Sequence, residues 1–197
     1  MNFDRILSKT VDYEKIKYGI LFGNEKIVFI KVGAVGKING HKDKYIRMAH
    51  RIHDRIGATV ICSSNPWLDQ TAHLEADKAE IDHVITELGI ENFEMYFVGT
   101  SDGGYHSLLL AQQFPKTKKY IGINSSHMGI EDFAERIFNL SQVKKILVYG
   151  RNDEHFDKDF PTMNALACDN LEIIVLDGVD HDFTGKVDDF IALIDLI

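Results

Sequence analysis

The chain has 197 residues, 45% hydrophobic and 26% charged, an ordinary globular balance that fits a single domain over 1–197. Its net charge of −8 argues against a general nucleic-acid binder, because phosphate contacts require a basic surface. No apolar run approaches the roughly 18–20 residues of a membrane span, and the opening MNFDRILSKTVDYEK lacks a basic start followed by an apolar block, so the expectation is a cytoplasmic protein without a membrane partner.

Along the chain, strand-like and helix-like runs alternate. YGILFGNEKIVFIKVGA predicts two strands joined by a hairpin turn at Gly23-Asn24. DKYIRMAHRIHDRIG follows as a helix, with Tyr45, Ala49, Ile52 and Ile56 at helical spacing and Gly57 suited to end it. ATVICSS is a short apolar strand. TAHLEADKAEIDHVITELG is a helix with Ile81, Val84, Ile85 and Leu88 on one stripe and Gly89 at its end. NFEMYFVG is a strand, and residues 101–114 form a helix stopped by Pro115. KKYIGINSS, VKKILVYG and LEIIVLDG are further strands. IEDFAERIFNL, a weaker segment over 157–168 and KVDDFIALIDLI are helices, the last turning Val187, Phe190, Ile191 and Ile194 inward. Several strands are unbroken apolar runs, as expected where both faces of a sheet are covered. The pattern is that of an α/β protein with a mostly parallel central sheet and helices on both faces.

Two side features have bland readings. Lys37, Lys42, Lys44, Arg47, Arg51 and Arg55 cluster in one segment, either a solvated helix face or a rim that attracts an anionic substrate or partner. Cys62 and Cys168 show neither C-x-x-C nor Cys/His ligand spacing and read as small buried thiols, with no zinc site expected.

In parallel sheets, ligands bind beyond the carboxyl ends of the strands, and three such ends carry chemistry. GTSDG, residues 99–103, holds Ser101 between glycines at a strand-to-helix corner. A tight corner needs glycine to avoid clashes, lifts the hydroxyl above the sheet, and puts a helix N-terminus beside it to stabilise negative charge. A tight turn with an N-cap serine would use the same residues. Asp153, in GRND, follows a later strand and could hold a histidine tautomer, with Glu154 and Asp157 as neighbours able to substitute; a surface turn is the plain alternative. His181, in VDHDF, lies just beyond the last strand.

Together, GTSDG, GRND and DHDF in the order Ser…Asp…His resemble the α/β-hydrolase family. The resemblance runs from about residue 18 to the last helix. It implies that Ser101 is the nucleophile, His181 the general base and acid, and Asp153 its orienter, with no cofactor. It also implies an oxyanion hole made by the backbone N–H of Asp102 and one from the loop after KIVFIKVGAVG, where Ala34 is the first choice and Val35 the next. Many relatives carry His-Gly at that strand end; here it reads Lys31-Val32-Gly33. The connection over 125–142 has room for one short helix and not for a lid domain. That implies a shallow site for small or short acyl groups, walled by Asn65, Trp67, His127 and Met128, each of which also fits a surface or packing role. The implied activity is hydrolysis of a carboxylic ester on a small-molecule or acylated substrate, through an acyl-enzyme intermediate. Acyltransferase, thioesterase and peptidase activities use the same triad, and a non-catalytic binding protein could keep the fold.

Overall fold

The computed structural model describes residues 1–125, 129–166 and 168–197. Eight strands form one sheet: β1 (Arg5–Val11), β2 (Glu14–Leu21), β3 (Asn24–Lys31), β4 (Ala58–Ser63), β5 (Glu94–Thr100), β6 (Thr117–Ile123), β7 (Lys144–Gly150) and β8 (Leu171–Leu176). Their spatial order is β1-β2-β4-β3-β5-β6-β7-β8. β3 to β8 pair in parallel, whereas β1–β2 and β2–β4 are antiparallel.

The helices are α1 (Lys44–Ile56), α2 (Gln70–Leu88), α3 (Asp102–Gln113), α4 (Ile130–Asn139), α5 (Phe156–Asn164) and α6 (Val187–Ala192). Successive strand residues point to opposite faces. Val28 and Ile30 of β3 therefore join a core with α1 and α6, while Ile27 and Phe29 join one with α2, α3, α4 and α5. The inward stripe of the last helix is buried as its spacing implies: Val187, Phe190, Ile191 and Ile194 all lie in the first of these cores. α1 and α2 end at Gly57 and Gly89, both at positive φ, the left-handed conformation that glycine adopts without a Cβ penalty. No helix among the described residues is long and apolar enough to cross a membrane.

The sheet corrects two readings of the sequence. β2 and β3 do not form a hairpin. Both edges of β3 are taken by parallel partners, β4 and β5, so β4 stands between β2 and β3. The Gly23-Asn24 link instead passes over the start of β4, where Gly23 N–H donates to Thr59 Oγ1 at 2.9 Å and Asn24 N–H to the Gly57 carbonyl at 2.7 Å. The real hairpin is β1–β2, turning through Asp12 and Tyr13, both at positive φ as a type I′ turn requires. The helix expected over 157–168 runs Phe156–Asn164. Cys62 is buried, but Cys168 is only partly so; both are free thiols.

The basic face of α1 resolves into ion pairs. Arg47 meets Asp188 at 2.6 Å and Arg51 meets Asp195 at 3.7 Å, while Arg55 pairs with Asp195 as well. These three arginines clasp the C-terminal segment to α1 and do not form an open cationic rim. A groove of about 600 Å³ between the two segments is lined by these paired groups and shares no lining residue with the cavity that contains Ser101 and His181.

Candidate active site

Parallel strands share one carboxyl edge, so β5, β7 and β8 deliver Ser101, Asp153 and His181 to the same rim. Ser101 follows β5 directly and precedes α3, at φ 53° and ψ −130°. A non-glycine residue there is strained by about 1–3 kcal/mol and persists only where its surroundings fix it. They do so here. Ser101 N–H donates to the Ile123 carbonyl at 2.8 Å, and Gly104 N–H to the Ser101 carbonyl at 2.9 Å. The glycines either side are steric necessities: a Cβ on Gly103 would stand 2.1 Å from the Val32 carbonyl oxygen, and one on Gly99 would stand 2.4 Å from that of Gly103.

The three side chains form a continuous hydrogen-bonded chain. Ser101 Oγ lies 2.9 Å from His181 Nε2, and His181 Nδ1 lies 2.8 Å from Asp153 Oδ2. The other carboxylate oxygen of Asp153 accepts the His155 backbone N–H at 2.9 Å. Glu154 and Asp157, the neighbours able to substitute, are exposed. The hydrogen bond that His181 donates to Asp153 raises the His181 pKa above its ordinary value, against a smaller opposing effect of burial. Burial of Asp153 disfavours its charge, but the hydrogen bonds from His181 and the His155 N–H outweigh that and hold its pKa below the ordinary value. The result is an ionised carboxylate that fixes the imidazole with its second nitrogen against a hydroxyl.

The other candidates occupy varied positions. Asp102 opens α3, where the first N–H groups point out along the helix axis toward the rim. Ala34 lies between two cavities. One, of about 250 Å³, contains Ser101 and His181; the other, of about 350 Å³, is lined by Val35, Trp67 and Tyr105. Residues 33–36 form a turn closed by Gly36 N–H to the Gly33 carbonyl at 2.9 Å, with Val35 at φ 57°. That is the glycine position of a type II turn, so a β-branched residue there stores strain beside Ser101. Trp67 is 75% exposed on the wall of the larger cavity and is not core. Asn65 is buried, and its amide donates to Asp102 Oδ2 at 2.8 Å and to the Val32 carbonyl at 3.2 Å, so it braces the corner as well as lining the cavity. His127 and Met128 lie outside the described residues.

Three positions near the site were given no part in it by the sequence reading. Asn124 ends β6, buried and at φ 49°. Its Oδ1 accepts the Gly150 N–H at 2.9 Å, and its Nδ2 donates to the His181 carbonyl at 3.1 Å, so it ties the loop that bears Asp153 to the loop that bears His181. The strand-end rule that selected the other three would have selected it too. Tyr45 shares a 2.7 Å hydrogen bond with Thr100 Oγ1, next to Ser101, and burial pushes its pKa up to about 12, so it stays protonated. Lys31, at the end of β3, is buried and pairs with Asp77 at 2.6 Å. As for metals, Asp153, His155 and His181 bring three potential ligand atoms within 4.8 Å of one another, though the facing atoms of Asp153 and His181 already bond to each other.

No protein-family model matches the chain, and no curated protein matches it in sequence. Solved structures do match in shape. A serine hydrolase homologue from Coxiella burnetii superposes with a TM-score of 0.74 at 16% identity, covering 98% of this chain and 97% of that one. The chain has the α/β-hydrolase fold. Est1E from Butyrivibrio proteoclasticus superposes with a TM-score of 0.75 at 12% identity, over 97% and 96% of the two chains. A lidless α/β serine hydrolase from Xanthomonas campestris gives 0.69 at 14% identity, over 98% and 92%. Within this α/β-hydrolase fold the connection from β6 to β7 carries α4 alone among the described residues.

Proposed function

We propose that the protein is a serine hydrolase that cleaves carboxylic esters of small or short acyl groups, with Ser101 as nucleophile. The observation that carries this reading is the Ser101–His181–Asp153 chain, 2.9 Å and 2.8 Å between partners, on a serine held at positive φ beside a helix N-terminus. A serine hydroxyl is a weak nucleophile at neutral pH and needs a base in hydrogen-bond contact. His181 Nε2 takes the Ser101 proton as Oγ forms a bond to the ester carbonyl carbon. The carbonyl oxygen gains the electron pair, facing the backbone N–H groups of Asp102 and Ala34. His181 then protonates the alcohol as the carbon–oxygen bond breaks, leaving an acyl-Ser101 ester. Water attacks that ester by the same route in reverse, giving the acid and regenerating the hydroxyl. Asp153 stays ionised throughout and holds the tautomer. An oxyanion donor is worth about 3–4 kcal/mol of barrier. Serine hydrolases among the structural neighbours support the same reading.

The test is covalent labelling. A fluorophosphonate should modify Ser101 in the native protein. Ser101→Ala should abolish labelling and lower p-nitrophenyl acetate turnover by about 10⁶-fold, to the background. Turnover surviving intact in that variant removes the proposal.

A further inference from the structure

The cavity that opens on Ser101 and His181 also holds a cation. Lys44, the first residue of α1, lines it together with Tyr45 and Phe190 and is only 8% exposed. Its ammonium lies 5.3 Å over the Tyr45 ring and 4.9 Å over the Phe190 ring. It donates to the Asp182 backbone carbonyl at 3.2 Å. Among the described residues no carboxylate stands within 4.0 Å of it, and the Asp182 side chain is exposed. This sets Lys44 apart from Arg47, Arg51 and Arg55 on the same helix, each of which has a carboxylate partner. Burial lowers the Lys44 pKa, while the more distant charges of Asp182 and Asp180 oppose that. A buried ammonium is costly without a counter-ion, and a backbone carbonyl with two aromatic faces compensates only in part. An ammonium carries three N–H donors, so it can take an anionic acceptor in addition to the carbonyl.

We propose that Lys44 anchors a carboxylate on the ester substrate, so that the site selects small esters bearing one carboxylate over neutral esters of the same size. This rests on the ester-hydrolase reading of Ser101. Lys44 is the one lysine or arginine on the wall of this cavity of about 250 Å³, which fits a short chain with one negative charge; Asp182 also lies on that wall, with its side chain exposed. The chain as a whole has a net charge of −8, which repels anions, so a preference for an anionic ester has to arise locally. The carboxylate can enter on the acyl half or on the alcohol half, and the two are separable.

Two substrate pairs test this. p-Nitrophenyl hemisuccinate against p-nitrophenyl butyrate places the charge on the acyl half; 4-acetoxybenzoate against its methyl ester places it on the alcohol half. The wild-type protein should favour the charged member of one pair by tenfold or more in kcat/KM. Lys44→Met should lower that ratio by tenfold or more, chiefly through KM, and Lys44→Arg should restore part of it. Taking the ratio within each variant cancels any loss of folded protein. Equal treatment of both pairs by the wild type, or an unchanged ratio in Lys44→Met, overturns the proposal. A second measurement needs no turnover: calorimetric titration of Ser101→Ala with the stable amides N-phenylsuccinamate and 4-acetamidobenzoate, each against its uncharged counterpart. Charge-selective binding lost in the Ser101→Ala, Lys44→Met double variant supports the anchor even if hydrolysis fails. Binding indifferent to Lys44 removes it even in a working hydrolase.

Discussion

The Asp153–His181 pair and the Lys31–Asp77 pair both stand near the carboxyl edge of the sheet, each an acid beside a base at hydrogen-bond distance, 2.8 Å and 2.6 Å. Their surroundings differ. Lys31 and Asp77 are sealed, with side chains 0% and 1% exposed. Lys31 Nζ also donates to Ser63 Oγ at 3.1 Å and to the Ser64 carbonyl at 2.9 Å, and Asp77 Oδ1 accepts from Ser63 Oγ at 2.8 Å. His73 lies 3.3 Å from Lys31 Nζ. Burial, and then the charge of Lys31, depress the His73 pKa to about 4, so its ring is neutral near neutral pH and its Nδ1 accepts. Each residue there has a protein partner, although Asp77 Oδ2, ion-paired with Lys31, makes no aligned hydrogen bond. In the other pair Asp153 is as buried, at 2%, but His181 is 26% exposed, and its outer nitrogen meets a hydroxyl at the wall of a cavity. An acid–base pair is poised for reaction when one of its ends faces a group that can leave the network. A pair closed on all sides is a bolt.

The largest effect should follow from breaking the open pair. Asp153→Asn keeps the shape but supports the wrong tautomer, and kcat should fall by about 10⁴, or ~5.4 kcal/mol of barrier. The pH profile gives a second readout. The reaction needs neutral His181, and the hydrogen bond it donates to Asp153 raises its pKa. Wild-type kcat/KM should therefore rise with pH through that raised pKa, and the acid limb of the variant should move to lower pH. The signs for stability are separate. The contribution of His181 is complete below its unfolded pKa and is lost as pH rises through the higher folded one. That of Asp153 is complete above its unfolded pKa and is lost as pH falls through the lower folded one. The pair thus stabilises most between about pH 4 and 6.5. An acid limb that does not move in Asp153→Asn would separate Asp153 from the titration of His181.

Breaking the closed pair should cost stability and leave chemistry alone. Lys31→Met strands Asp77 without a counter-charge and should destabilise by about 3–5 kcal/mol, lowering Tm by roughly 6–20 °C for a chain of this size. Adding Asp77→Leu should recover much of that loss. Turnover per folded molecule should change little. A loss of turnover without a loss of Tm would place Lys31 in the chemistry and dissolve the contrast.

The same distinction explains what the sequence disclosed. Strands buried on both faces read as unbroken apolar runs, so β3 to β7 and their helices were visible. β1 alternates between partly covered and exposed residues, RILSKTV, and turns through Asp12-Tyr13 with no glycine, so it carried neither signal. The Gly23-Asn24 turn was legible as a reversal, but which strand then fills the edge of β2 depends on pairing with β4 far along the chain. At the rim, Ser101, Asp153 and His181 were legible because each follows a strand. Lys44 was hidden in a run of basic residues, since composition does not say which of them a helix turns inward. Val35 was legible as a loop candidate for the oxyanion hole, but not its left-handed backbone, which its side chain disfavours.

The finest division between bolt and site runs through Asn124, which has features of both. It is buried and bound to protein on both amide atoms, like Lys31, yet the groups it joins are the Gly150 N–H before Asp153 and the carbonyl of His181 itself. Asn124→Ala leaves the Gly150 N–H without its acceptor in a buried position, which should cost about 1–3 kcal/mol of stability. If Asn124 also sets the spacing of the two loops, the second-order rate of fluorophosphonate labelling at Ser101 should fall by about tenfold, ~1.4 kcal/mol, with KM for the ester nearly unchanged. Titration of His181 by NMR would move with it, since a loosened hydrogen bond to Asp153 no longer raises the pKa fully. A variant that loses Tm but labels Ser101 at the wild-type rate would put Asn124 with Lys31, and the positioning of His181 would then not depend on Asn124.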